Sequence, residues 1–215
     1  MNQGRADAEV ASLPLVDSSS ADLVTQRQAI TILRSGRHHP TQRLAMGLLN
    51  CGFAGPARRA GGALLYDAAR VQALADRKQV QQPYPELCRG GMLVLRLPGR
   101  SGLALAPIED VRAELQRSRP MSATARLQLS AHRARFGMAP VIATVAGHVL
   151  GTAELEGCTA VGGTAADGTP IRDSVLQLSD PGAWAAAFLG RVMLTPPGNA
   201  WLWWAPSSRQ PMSVG

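Results

Sequence analysis

"ARRAGGALLYDAARVQAL", residues 57–74, is the stretch whose reading decides the fold of this 215-residue chain. Arg58 and Arg59 lead into Gly61 and Gly62, a pair able to take positive φ angles at no steric cost. The apolar "ALLY" that follows is too brief for a helix, so the segment reads as a β-hairpin, a wing. Asp67 then caps a helix running to about Arg77. Tyr66 before the cap and Val71 inside the helix make a hydrophobic staple.

Two short helices precede the wing. Thr25 is the cap of the first, with Gln28 three residues on and apolar Ala29, Ile30 and Leu33 behind it; "SGRHHP" ends it. Thr41 caps the second, in which Leu44, Ala45, Leu48 and Leu49 share a face, and Gly52 closes it. Opposite that apolar face lie Gln42, Arg43, Met46 and Asn50.

Beyond the third helix, "KQVQQPYPELCRGG" carries two prolines and a glycine pair and reads as a linker, residues 79–90. "MLVLRLP" reads as a strand, "GRSG" as a turn and "LALA" as the return strand. Pro107 opens a helix with Ile108, Val111 and Leu115 on one face; Pro120 interrupts, and a second helix runs from about Ser122 to Phe136. Arg112, Arg117, Arg119, Arg126, Arg133 and Arg135 ride on this pair. From residue 140 the pattern turns to β. "VIATVAGHVLGTAEL" is a hairpin, "AVGGTAADGTP" a mobile loop and "SVLQL" a strand. A helix over roughly 181–190 is capped by Asp180, and "NAWLWWAP" is a late aromatic strand. The expectation is an α+β chain: a tail over 1–22, a first domain over 23–78, the linker, and a second domain over 91–215 with helices at about 107–136.

Charge divides along the same lines. Residues 1–22, 23–82, 83–136 and 137–215 carry net −3, +7, +5 and −2, so a polyanion would be held by the first two thirds. All basic residues but Lys78 are arginine, which suits bidentate phosphate and base contacts, although a GC-rich genome biases codons the same way. Three scattered cysteines, Cys51, Cys88 and Cys158, fit neither a disulfide framework nor a zinc ribbon. No run of eighteen apolar residues occurs, and the N-terminus lacks the charged start and apolar centre of a secretion signal. A cytoplasmic protein that does not enter the membrane is expected.

The order helix, helix, glycine-bearing wing, capped helix over residues 23–78 resembles the winged helix-turn-helix of MerR-type regulators and phage excisionases. "GFAGPARRAGGALLYDAARVQALADR" carries the likeness. It implies that the second helix enters the major groove of duplex DNA, with Gln42, Arg43, Met46 and Asn50 at base edges or nearby phosphates. Arg58 and Arg59 would then meet the backbone or minor groove, on a wing turned by Gly61 and Gly62 and pinned by Leu64 and Leu65. Arg37, Arg126 and Arg133 are candidates for further phosphate contacts. Dimers suit two-fold sites, so a homo-oligomer on DNA is expected. A fainter likeness links residues 91–215, through "VIATVAGHVLGTAELEGC" and "NAWLWWAPSSRQPM", to the ASCH branch of PUA-like β-barrels. It implies a small mixed β-barrel, to which the helices at about 107–136 add a basic insertion outside the family's pattern. Such a barrel holds a base, nucleotide, RNA element, small ligand or protein partner. Alternation puts Trp201 and Trp203 on one face and Trp204 on the other, one set for the core and one for a surface.

Chemistry elsewhere is sparse. His38 and His39 are adjacent and do not share a helical face, and His132 and His148 lack evident partners, so no metal or cofactor is expected. Glu154 and Glu156 are two apart, as exposed strand charges often are. "GGTAADG" lacks the ending of a phosphate loop, and no nucleophile, base and orienting group assemble. With Lys78 the only lysine, an amidohydrolase step through a barrel lysine has no residue to use. The leading expectation is therefore a non-enzymatic, sequence-preferring DNA-binding protein, a transcriptional regulator or recombination accessory factor. The alternative is a nucleotide, modified-base or RNA reader or enzyme acting through the barrel, and a third is a structural or protein-interaction component.

Overall fold

A computed structural model describes residues 22–81, 84–100, 102–121, 123–164, 170–195 and 200–205. The tail expected over 1–22 falls outside these except for Asp22, as do Ser122 and residues 165–169. The chain is α+β. Its elements are β1 (Leu23–Thr25), α1 (Gln26–Ser35), α2 (Gln42–Cys51), β2 (Arg58–Ala60), β3 (Ala63–Asp67), α3 (Ala68–Ala75), α4 (Glu86–Arg89), β4 (Met92–Arg96), α5 (Ile108–Gln116), β5 (Arg119–Pro120), α6 (Ala123–Phe136), β6 (Ala139–Val145), β7 (His148–Thr164), β8 (Pro170–Ser179) and β9 (Trp201–Trp204).

Local chemistry sets the N-terminal elements. Thr25 accepts from the Gln28 amide while the Gln28 side chain accepts from the Thr25 amide, a reciprocal capping box that satisfies donors the first helical turn cannot pair. Thr41 caps α2, and Gly52 ends it in the left-handed region at φ 92°, where its amide meets the Leu48 and Leu49 carbonyls. Gly61 and Gly62, at φ 53° and 83°, turn β2 into β3 with positive φ at both central positions, as a two-residue hairpin requires. Asp67 accepts from the Arg70 amide and starts α3. Tyr66 and Val71 are both buried. β1 joins as a third antiparallel strand in the order β1-β3-β2, a pairing with no counterpart in the sequence reading. Leu64 packs on the core, whereas Leu65 is half-buried on the opposite face of the hairpin and does not pin it.

The C-terminal strands form one six-stranded sheet, β5-β8-β7-β6-β4-β9, antiparallel except between β4 and β6. Among the described residues no pairing joins β5 to β9, so the sheet is a curled half-barrel where a small mixed β-barrel was expected. "LALA" is no return strand: Leu103–Leu105 make a 3-10 turn, and β6 and β9 take the two places beside β4. Residues 160–164, read as loop, continue β7 in register with β8. The helix expected over 181–190 is a 3-10 segment, Ala183–Ala187, preceded by Gly182, with no cap from Asp180.

Both sheet faces are covered. On one, an apolar cluster runs without a break from Ala29, Leu33 and Leu48 to Leu93, Val141 and Leu155, so the N-terminal helices and the sheet share a core. On the other, Val80, Cys88, Phe188 and Met193 pack on Val94 and Ile142. The connection is packed down at Val80 and Cys88: the Val80 amide donates to the Val192 carbonyl at 2.9 Å, and the Val192 amide to the Lys78 carbonyl at 2.9 Å. Alternation in β9 places Trp201 and Trp203 with the first cluster, and Leu202 and Trp204 with the second. Among the described residues no helix is long and apolar enough to cross a membrane.

Candidate nucleic-acid interface

Helix α2 buries Ala45, Leu48, Leu49 and Cys51 and exposes Gln42, Arg43, Met46 and Asn50 as one strip. Leu44, which helical spacing puts on the buried face, is 44% exposed and opens onto a cleft. The exposed strip forms one wall of a cleft of about 860 Å³, whose other wall is Leu97, Pro98, Gly99, Val145 and Ala146. The turn after β4 closes tightly on the helix. A Cβ on Gly99 would lie 2.7 Å from the Gly47 carbonyl oxygen, and the Gly102 amide donates to the Asn50 carbonyl at 2.9 Å. Gly99 is thus needed for the turn backbone to lie on the helix backbone.

On the hairpin, Arg58 faces Leu65 across the strands and Arg59 faces Leu64. Directly opposed residues share a face, so Arg59 lies on the Leu64–Tyr66 side and Arg58 on the other. The two guanidiniums leave opposite faces, and both residues are exposed, as are Gly61 and Gly62. Arg37, between α1 and α2, is also exposed, with its backbone amide on the Ala75 carbonyl.

Many other arginines are engaged within the protein. Arg126 is half-buried and donates to the Met121 carbonyl at 3.0 Å, and the Nε of half-buried Arg133 is enclosed without a hydrogen-bond partner. Arg126 thus spends one donor within the protein, and both residues lie on α6, which packs on β6 and β9. Arg77 lies 5.1 Å over the Phe53 ring, and burial lowers its pKa. Arg112 pairs with Asp180. Arg100, Arg117 and Arg119 converge on Glu114, a buried carboxylate that the sequence reading passed over. The Glu114-to-Arg117 spacing of three on a helix was the available signal. Ile108, read as core, is 57% exposed, while Val111 and Leu115 are buried.

A second concavity, about 310 Å³, lies between α6 and β9 and is lined by Gly90, Gln128, Ala131, His132, Arg135, Phe136 and Trp203. The His132 ring centroid is 4.6 Å from that of Phe136 and 5.1 Å from that of Trp203. Gly91, at φ 118°, is where Trp203 presses on the backbone: a Cβ there would meet its Nε1 at 2.4 Å. Burial lowers the His132 pKa, partly offset by a hydrogen bond to the Gly90 backbone, with the Arg135 charge lowering it further. Its Nε2 is buried without a partner.

The remaining candidates have structural work. Glu154 is buried, and its Oε1 accepts from the Gly182 amide at 2.8 Å and Trp184 Nε1 at 2.7 Å, whereas Glu156 is exposed beyond a bulge. They are not a carboxylate pair. Burial raises the Cys51 thiol and pushes Cys88 up to about 12. Among the described residues no three or more His, Cys, Asp or Glu side chains gather as metal ligands. Comparison of the chain with protein-family models, curated proteins and solved structures finds no match in any of the three.

Proposed function

We propose that the protein is a non-enzymatic, sequence-preferring double-stranded DNA-binding protein, a transcriptional regulator or recombination accessory factor. In this reading β1–β3 and α1–α3 act as a winged helix-turn-helix. The observation that supports it is the strip Gln42, Arg43, Met46 and Asn50, side chains able to meet base edges, exposed on a helix whose opposite face is core. A helix with its side chains is 10–12 Å across, about the width of the major groove. Arg58 and Arg59, leaving opposite faces of the hairpin, then reach separate phosphates. A homo-oligomer on a two-fold site is the arrangement we expect, because one such module covers little DNA.

Fluorescence anisotropy with a labelled duplex across a salt series tests this. Arg58→Gln and Arg59→Gln should each reduce the slope of log Kd against log salt by about 0.9, one phosphate contact apiece. Absence of binding at low salt, or slopes that ignore both substitutions, contradicts the reading.

The concavity at His132, Phe136 and Trp203 favours a second reading, a nucleotide or RNA reader acting through the C-terminal sheet. Its size is at the lower end for small-molecule sites, its rings offer stacking faces, and Arg135 stands at its edge. Quenching of tryptophan fluorescence by nucleoside monophosphates or short single strands, lost in Phe136→Leu, supports that reading. No quenching at millimolar ligand refutes it.

A further inference from the structure

One buried carboxylate holds more arginine than it needs. Glu114, in the last turn of α5, is 6% exposed. Its Oε2 meets Arg100 Nη1 at 3.1 Å and Arg117 Nε at 3.0 Å, and its Oε1 meets Arg119 Nη2 at 3.4 Å. Arg119 is turned inward, donating also to the Leu115 and Glu114 carbonyls at 2.9 and 2.7 Å, so it closes the end of α5. Arg100 and Arg117 are different: their side chains are 49% and 56% exposed. Each guanidinium carries five N–H donors, and the shared oxygen engages one nitrogen of each. Among the described residues, three guanidiniums share this one carboxylate, which offsets one of their three positive charges, and holding two long side chains at that spacing costs rotamer entropy and repulsion. An anion that takes up the outward donors offsets both.

Position says which anion. Arg100 follows Pro98 and Gly99, which form the wall of the cleft facing α2, and the same turn is tied to Asn50 through the Gly102 amide. A helix in the major groove has a phosphate strand along each flank, and the turn carrying Arg100 occupies one flank of α2. We propose that Arg100 and Arg117, oriented by Glu114, clamp a phosphodiester of the strand bordering the groove that α2 enters. Glu114 is a positioning residue in this clamp. The inference rests on the duplex-binding reading for the identity of the anion, and on the arginine geometry alone for the existence of the site.

Three variants of the full chain separate the clamp from general charge attraction, each checked by circular dichroism and thermal unfolding. Arg100→Lys with Arg117→Lys keeps the charge and removes the planar forks; duplex affinity should fall about tenfold. Arg100→Gln with Arg117→Gln should lower the salt slope by about 1.8, two contacts' worth. Glu114→Gln raises net charge by one, so undirected attraction would tighten binding, whereas loss of orientation weakens it. Should Glu114→Gln not fold, the lysine pair decides. Titration with pyrophosphate, followed through the arginine Nε–H NMR signals, probes the site without DNA. Pyrophosphate shifts at Arg100 and Arg117 in a protein that ignores duplex would sustain the anion site and overturn the duplex reading. Duplex binding that is unaltered by the lysine pair overturns the clamp and leaves the duplex reading standing, and a protein that responds to neither ligand overturns both.

Discussion

His148 offers the sharpest quantitative test of how the N-terminal helices sit on the sheet. It starts β7, is 3% exposed, and is closed in by His38 at 6.3 Å and Phe53 at 5.8 Å between ring centroids. Burial, then the charges of Arg77 and His38, push its pKa from 6.5 down to about 3. The folded protein therefore holds this imidazole neutral. As pH falls below about 6.5 the unfolded chain takes up a proton that the folded chain refuses, so stability drains between about 6.5 and 3. One proton is worth about 1.4 kcal/mol per pH unit, or about 2 kcal/mol between pH 6.5 and 5. His132, also lowered by burial, adds a loss of the same sign. Urea unfolding at pH 7.5, 6 and 5 should show that loss in the wild type, and His148→Phe, which keeps a ring and removes the proton site, should lose about 2 kcal/mol less. Equal acid losses in the two proteins, or a wild type equally stable at pH 7.5 and 5, would refute the buried neutral His148.

Three further substitutions probe single contacts. Gly99→Ala sets a Cβ 2.7 Å from the Gly47 carbonyl oxygen, which is backbone and cannot swing away; thermal unfolding should register about 1–3 kcal/mol lost, and an unchanged melting temperature would mean the turn does not rest on α2. Thr25→Ala removes one half of the capping box and should cost about 1 kcal/mol in urea, whereas Thr25→Ser should be near neutral. Glu154→Ala strands the Gly182 amide and Trp184 Nε1; a loss of about 2–3 kcal/mol with altered near-ultraviolet dichroism is expected, and a silent substitution would contradict the clamp on that loop.

What the sequence made legible was local. Thr25 with Gln28, Thr41, Gly52, the Gly61–Gly62 turn and Asp67 each act within four residues, and each stands where spacing placed it. Pairings over distance were hidden. A three-residue strand such as β1 has no measurable period, and "LALA" reads as the return of β4 because nothing local announces that β6 and β9, some 45 and 110 residues on, take those positions. Helical spacing identifies an apolar stripe without saying how far a neighbour covers it, which is why Leu44 and Ile108 lie exposed. Among candidate residues, Gln42, Arg43, Met46, Asn50, Arg58 and Arg59 are exposed as their spacing implied, while Arg126 and Arg133 are drawn into packing that no charge count reveals. For Glu114 the spacing to Arg117 was legible and the contact with Arg100 was not, because Arg100 arrives from a different element.

The claim on which the functional account turns is that the exposed strip of α2 reads base edges. Selection of the intact protein on a pool of randomised duplexes tests it most directly. The account predicts that the wild type enriches a discrete sequence, and that Gln42→Ala with Asn50→Ala abolishes the enrichment while weak, salt-sensitive binding persists. A pool that returns unenriched at low salt, or one enriched for the same sequence by the double variant, would contradict it.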